Sequence, residues 1–193
     1  MHLSLAKCRF ESLMFMDQFT FEELSEAITT FSPVQVEFFI ENCIVLLEKS
    51  NHKPGCSLEV VGETKAQISL QWSKGVVTTG YKEPKKIIEH AAEALSFMLA
   101  RRFTEFMVVE EAPIGTGFDY WLGYDEAHSD YDPANFMQAR LEVSGIASES
   151  RSNTLRSRLP IKKRQTDRSD GLNLPAYISV VEFSTPKAYF GQK

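Results

Sequence analysis

Pro84-Lys-Lys-Ile-Ile-Glu-His-Ala-Ala-Glu-Ala-Leu-Ser-Phe-Met-Leu-Ala-Arg-Arg-Phe103 places Ile87, Ile88, Ala91, Leu95, Met98 and Leu99 at the spacing of one helical face. Pro84 falls in the first turn, where its missing N–H costs nothing, and Arg101 and Arg102 fall in the last, where cations suit the helix dipole. Three strand-like runs follow: Phe106–Glu110, Phe118–Tyr124 and Ala139–Ile146. A basic segment, Arg151–Arg168, comes next. It reads either as a helix started or broken at Pro160 or as a short strand through Leu155, Ser157, Leu159 and Ile161. Lys162-Lys-Arg-Gln favours the helix. The run Ala176–Ser184 reads as a strand that stops before Pro186. The order over residues 84–184 is therefore α-β-β-β-α-β, an α+β arrangement.

Upstream, residues 20–50 read as two helices. Thr20 is the candidate N-cap of the first, and Ser32-Pro33 opens the second, whose stripe runs through Val36, Phe39, Ile40, Cys43 and Leu47. Ser57–Val61 and Ala66–Trp72 alternate with period two around Gly62-Glu-Thr-Lys and predict a hairpin. Residues 1–83 thus form a helical and hairpin subdomain packed on a core of residues 84–193. Half of the 14 phenylalanines (Phe10, Phe15, Phe19, Phe21, Phe31, Phe38, Phe39) lie in the first forty residues. They must pack on something, and intramolecular core is favoured over a protein partner docked on this region. The residues ahead of Met16 read as a loosely attached extension.

Length and composition bound the function. With 193 residues, 43% hydrophobic and 24% charged, the chain fits one domain with an appendage and offers no apolar run long enough for a membrane span. Three cysteines (Cys8, Cys43, Cys56) with no paired spacing indicate neither a disulfide framework nor a zinc ribbon, and point to a reducing, cytoplasmic setting. His52 and Cys56 are two ligands where structural zinc needs four. A net charge of -5 argues against nucleic-acid binding by overall charge but leaves room for a local basic surface. Residues 105–132 carry eight acids (Glu105, Glu110, Glu111, Asp119, Asp125, Glu126, Asp130, Asp132) and no Lys or Arg, whereas residues 151–168 carry a net +6. The two blocks either pair with one another or set a metal-binding edge beside a phosphate-binding one.

Gly115-Thr-Gly-Phe-Asp119 at the start of one strand and Leu141-Glu-Val-Ser144 within the next, in this order of elements, resemble the PD-(D/E)XK nuclease superfamily. The resemblance covers residues 84–184 and leaves residues 1–83 without a counterpart. It implies a restriction-endonuclease-like mixed sheet, Mg²⁺ as cofactor, and Asp119, Glu142 and the main-chain carbonyl of Val143 as its ligands. Oxygen donors are what a small hard cation prefers. The superfamily's lysine two places after the glutamate is replaced here by Ser144. Some members supply it from the following helix, which makes Lys162 or Lys163 the candidate. Arg151, Arg156, Arg158, Arg164 and Arg168 would grip the nucleic-acid backbone.

The residues also admit plainer readings. Leu141 and Val143 share one face of their strand while Arg140, Glu142 and Ser144 share the other, which a solvent-facing strand would also show. Glu89 and Glu93 read as a solvated helix face, and Tyr120, Trp121 and Tyr124 as core or interface aromatics rather than platforms for bases. Three functions fit: a Mg²⁺-dependent nuclease, a catalytically inactive nuclease-like module that binds nucleic acid or a protein partner in a larger assembly, and a plain α+β interaction domain.

Overall fold

The structure, a computed structural model, describes residues 17–28 and 30–193. The readings that involve Cys8, Phe10, Phe15 and the leading extension lie outside the described residues. The chain is α+β, with one mixed eight-stranded sheet. Its strands are β1 (Asp17–Thr20), β2 (Cys56–Gly62), β3 (Ala66–Gln71), β4 (Phe106–Glu111), β5 (Tyr120–Tyr124), β6 (Ala139–Ile146), β7 (Ala176–Glu182) and β8 (Lys187–Gln192), in the spatial order β1-β3-β2-β8-β7-β6-β5-β4. The helices are α1 (Pro33–Lys49), α2 (Pro84–Phe103) and α3 (Leu155–Gln165).

Two strands have no expectation behind them. β1 ends at Thr20, which also holds the expected N-cap position but makes no side-chain cap hydrogen bond, and the expected first helix is a 3₁₀ turn over Phe21–Ala27. Its buried residues Phe21, Leu24 and Ala27 are three apart, which a three-residue turn stacks on one side. β8 follows the turn after β7, where Glu182 accepts from the N–H groups of Ser184 (2.8 Å) and Thr185 (2.9 Å). Because β8 pairs parallel with β2 and antiparallel with β7, the hairpin of residues 1–83 extends the same sheet. His52 is engaged here as well, with Nε2 3.0 Å from the Phe183 carbonyl oxygen.

The second expected helix is α1, opened by Ser32 in a capping box with Gln35 and by Pro33. It buries Val36, Phe39, Ile40, Cys43 and Leu47 against α2. Phe19, Phe21 and Phe39 are buried in the main core, and Phe39 meets Phe97 edge to face with ring centroids 5.5 Å apart. Those three rings are thus intramolecular core, and only Phe38 of the described phenylalanines in that stretch is exposed. α2 lies between α1 and the sheet. A Cβ on Gly145 of β6 would stand 2.5 Å from both the carbonyl oxygen and Cγ2 of Ile88, so glycine sets the depth at which α2 seats.

α3 covers the opposite face of β6 and β7. It begins at Thr154 in a capping box with Ser157 and runs through Pro160, so proline neither starts nor breaks it. The carbonyl that Pro160 leaves without a donor belongs to exposed Arg156, where water can satisfy it. Beneath α3 lies a small cluster of Ile146, Leu155, Ile178 and Val180. No helix among the described residues is long and apolar enough to cross a membrane.

Candidate active site

The site forms where β5 gives out. β5 pairs antiparallel with β6 only from Tyr120–Leu122 to Ala139–Leu141, so β6 continues from Glu142 to Ile146 with one edge open. Asp119, one residue ahead of β5, turns its carboxylate into that gap, and its Oδ2 accepts the Val143 N–H at 2.8 Å. N–H and C=O of one strand residue project to the same edge, so the Val143 carbonyl also faces the gap.

Glu142 projects to the α3 face. Arg140, Glu142 and Ser144 are 3%, 0% and 6% exposed, so the face that alternation leaves open to solvent is covered. Lys162 of α3 donates from Nζ to Glu142 Oε1. Glu142 Oε2 is buried with no hydrogen-bond partner. Burial, then the negative charge of Asp119, pushes the Glu142 carboxyl up to about 7, against the opposing pull of Lys162. Asp119 is also raised, chiefly by burial, with the Val143 N–H and Lys162 holding it down. Protonated Glu142 can donate to Asp119; ionised, it leaves an oxygen that calls for a cation.

Helical geometry separates the two candidate lysines. Successive residues on α3 are ~100° apart, so Lys162 and Lys163 cannot both reach the sheet. Lys163 contacts neither acid. Arg158, one turn before Lys162, donates from Nη1 to Ser144 Oγ at 3.2 Å, so the serine two places after Glu142 is a foothold for an arginine. Arg156 and Arg164 fall on the exposed side of α3, away from Glu142, and Arg151 precedes the helix. Of the five arginines expected to grip nucleic acid, Arg158 and Arg168 line hollows beside Asp119, and Arg151, Arg156 and Arg164 do not. Among the described residues, no salt bridge joins the acidic block to the basic one; Asp125 pairs with Arg101 and Asp167 with Lys193.

The reading of a solvated helix face fails for Glu93. Its side chain is 17% exposed, accepts from or shares a proton with His90 Nδ1 at 2.9 Å, and lines the hollows on both sides of Asp119. The bond to Glu93 raises the His90 pKa, and burial followed by the Glu93 charge raises the Tyr120 phenol. The signal was the run Ala91, Ala92, Ala94, which marks a helix buried on two sides with little solvated face left for residue 93. Glu89, by contrast, is exposed and pairs with Lys85. Tyr120 is buried against Phe97, 4.7 Å between centroids, so it stacks in the core. Gly117, with φ of +88°, has a packing role: a Cβ there would stand 2.3 Å from the Gln165 carbonyl oxygen at the end of α3.

The cleft lined by Asp119, Val143, Ser144, Arg158 and Lys162, though not by the buried Glu142, has a volume of about 670 Å³ and opens between α2 and α3. Among the described residues, no three His, Cys, Asp or Glu side chains are grouped so as to hold a metal ion. Asp119, Glu142 and the Val143 carbonyl are a smaller set of the kind Mg²⁺ uses, since that ion keeps several waters. Comparison with family models, curated proteins and solved structures gave no match.

Proposed function

We propose that the chain is a metal-dependent phosphodiesterase of the PD-(D/E)XK type acting on nucleic acid, with Asp119, Glu142 and the Val143 carbonyl as the cation site. The observation that carries the reading is the buried Glu142 carboxyl beside Asp119, with Lys162 on one oxygen and no cationic or N–H donor on the other. Burying an ionisable group so incompletely partnered is costly, and such groups cluster at functional sites. The α-β-β-β-α-β order, with antiparallel β4-β5-β6 and β7 parallel to β6, supports the same assignment.

A bound Mg²⁺ would supply charge for a phosphoryl oxygen and a water of lowered pKa. The chain's own residues do the rest. Lys162, held by Glu142, is the candidate for the missing motif lysine, and its ammonium can offset charge gathering on the phosphoryl group. Ser144 and Asn153 hold Arg158 at the cleft wall, 3.2 and 2.6 Å from Nη1 and Nε, where the guanidinium can pair with a backbone phosphate. Asp119, fixed by the Val143 N–H, keeps one orientation.

The test is cleavage of labelled single- and double-stranded DNA and RNA with Mg²⁺ or Mn²⁺ against EDTA, for wild type, Asp119→Asn and Lys162→Ala. Metal-dependent cutting lost in both variants is the expected result. A second reading, a module that binds nucleic acid without cutting it, draws on Ser144 alone and predicts binding without turnover. Absence of both binding and cutting rejects the nuclease reading.

A further inference from the structure

We infer that the cleft takes a single polynucleotide strand, phosphates toward α3 and bases toward α2. This deepens the nuclease reading and rests on it. The floor is the open edge of one strand, β6, and the walls are helices from opposite faces of the sheet. At about 670 Å³ the cleft is on the scale of a site that encloses a small ligand.

Its two walls differ in charge. From α3 come Arg158 and Lys162, the latter paired with the buried Glu142, which does not line the cleft; from the α2 side come Glu83, Glu89 and Glu93 against Lys85, 3.9 Å from Glu89, and His90, 2.9 Å from Glu93. A single strand has one row of phosphates and can lay it on the basic wall. Its bases then face carboxylates that accept from exocyclic amines. A duplex brings a second phosphate row across the groove, against like charge.

The hollow on the far side of Asp119 repeats the split independently. Asp119 and Glu93 line both hollows; beyond them Arg168 continues the basic side and Glu111 the acidic one. A strand passing from one hollow to the other crosses Asp119, the acid on which the proposed chemistry depends.

The experiment is fluorescence anisotropy in EDTA, at fixed salt, with a labelled oligonucleotide offered as single-stranded DNA, single-stranded RNA and duplex of the same sequence. A single strand of either kind should bind at least about tenfold more tightly than the duplex. Glu89→Lys, at an exposed position outside the proposed cation site, should narrow that ratio by tightening the duplex, and Arg168→Ala should weaken the single strand. Duplex binding equal to or tighter than single-strand binding overturns the inference while leaving the nuclease reading standing. A ratio indifferent to Glu89→Lys overturns the assignment of the walls. Failure of wild type to bind any of the three overturns the nuclease reading and this inference with it.

Discussion

Replacing Glu142 with glutamine should make the metal-free protein more stable at alkaline pH and leave it little changed in acid. Glutamine has the shape and donor capacity of the protonated carboxyl, so it copies the neutral state that folding favours. The carboxyl rises from an ordinary 4.5 to about 7 on folding. A folded-state pKa above the unfolded one means that the native protein holds the proton more tightly. That stabilisation is fully present below pH 4.5 and is lost as pH climbs toward about 7. Two and a half units at 1.36 kcal/mol each make the loss about 3 kcal/mol. The pull of Lys162 is already contained in that shift, and Glu142 is fully buried, so solvent screens little of it. Urea denaturation of wild type and Glu142→Gln at pH 5 and pH 8 in EDTA measures the effect: the variant's midpoint should pull ahead of wild type at pH 8, with equal m-values. Stability curves that stay parallel across this range would falsify the claim that Glu142 is held in an environment hostile to its charge.

Adding Mg²⁺ at pH 8 should raise the melting temperature of wild type, by an amount equivalent to ~2.7 kcal/mol at a hundredfold excess over the dissociation constant, and Asp119→Asn should lose most of the gain in differential scanning calorimetry. Lys162→Met should cut the single-turnover cleavage rate by about 10²-fold or more, while Lys163→Ala stays near wild type; equal effects would mean that α3 does not present Lys162 selectively. Gly117→Ala should destabilise the fold by about 1–3 kcal/mol in thermal unfolding, since φ is +88° and the new methyl would meet the Gln165 carbonyl.

What the sequence made legible was local. The period of Ile87, Ala91, Leu95 and Met98 is enough for α2, and the order of elements after it is enough to place Asp119 and Glu142 on neighbouring segments. Non-local facts escaped. Lys187-Ala-Tyr-Phe-Gly-Gln192 pairs with β7 just before it and with β2, more than a hundred residues earlier in the chain, and no local pattern announces that second partner. The alternation of Leu141 to Ser144 separates two faces without saying which is covered; α3 decides it, and with it the burial of Glu142. Net charge marked residues 151–168 as a block, yet helical phase divides them, sending Arg158 and Lys162 inward and Arg156 and Arg164 out.

The position of β8 has a consequence for folding. It follows every other described strand in the chain, yet it stands between β2 and β7. The elements from α2 to β7 are consecutive in the chain, so the acids, Lys162 and the helices around them can assemble while β8 is still undocked. During that interval the β2 and β7 edges awaiting β8 are unpaired, and bare strand edges are templates for association with other chains. Glu59 and Lys187, 2.9 Å apart in the finished sheet, place a carboxylate on the waiting edge and its counterion on the late strand. The same residue that admits β8 thus puts charge on the open edge, a feature that discourages pairing with a stranger.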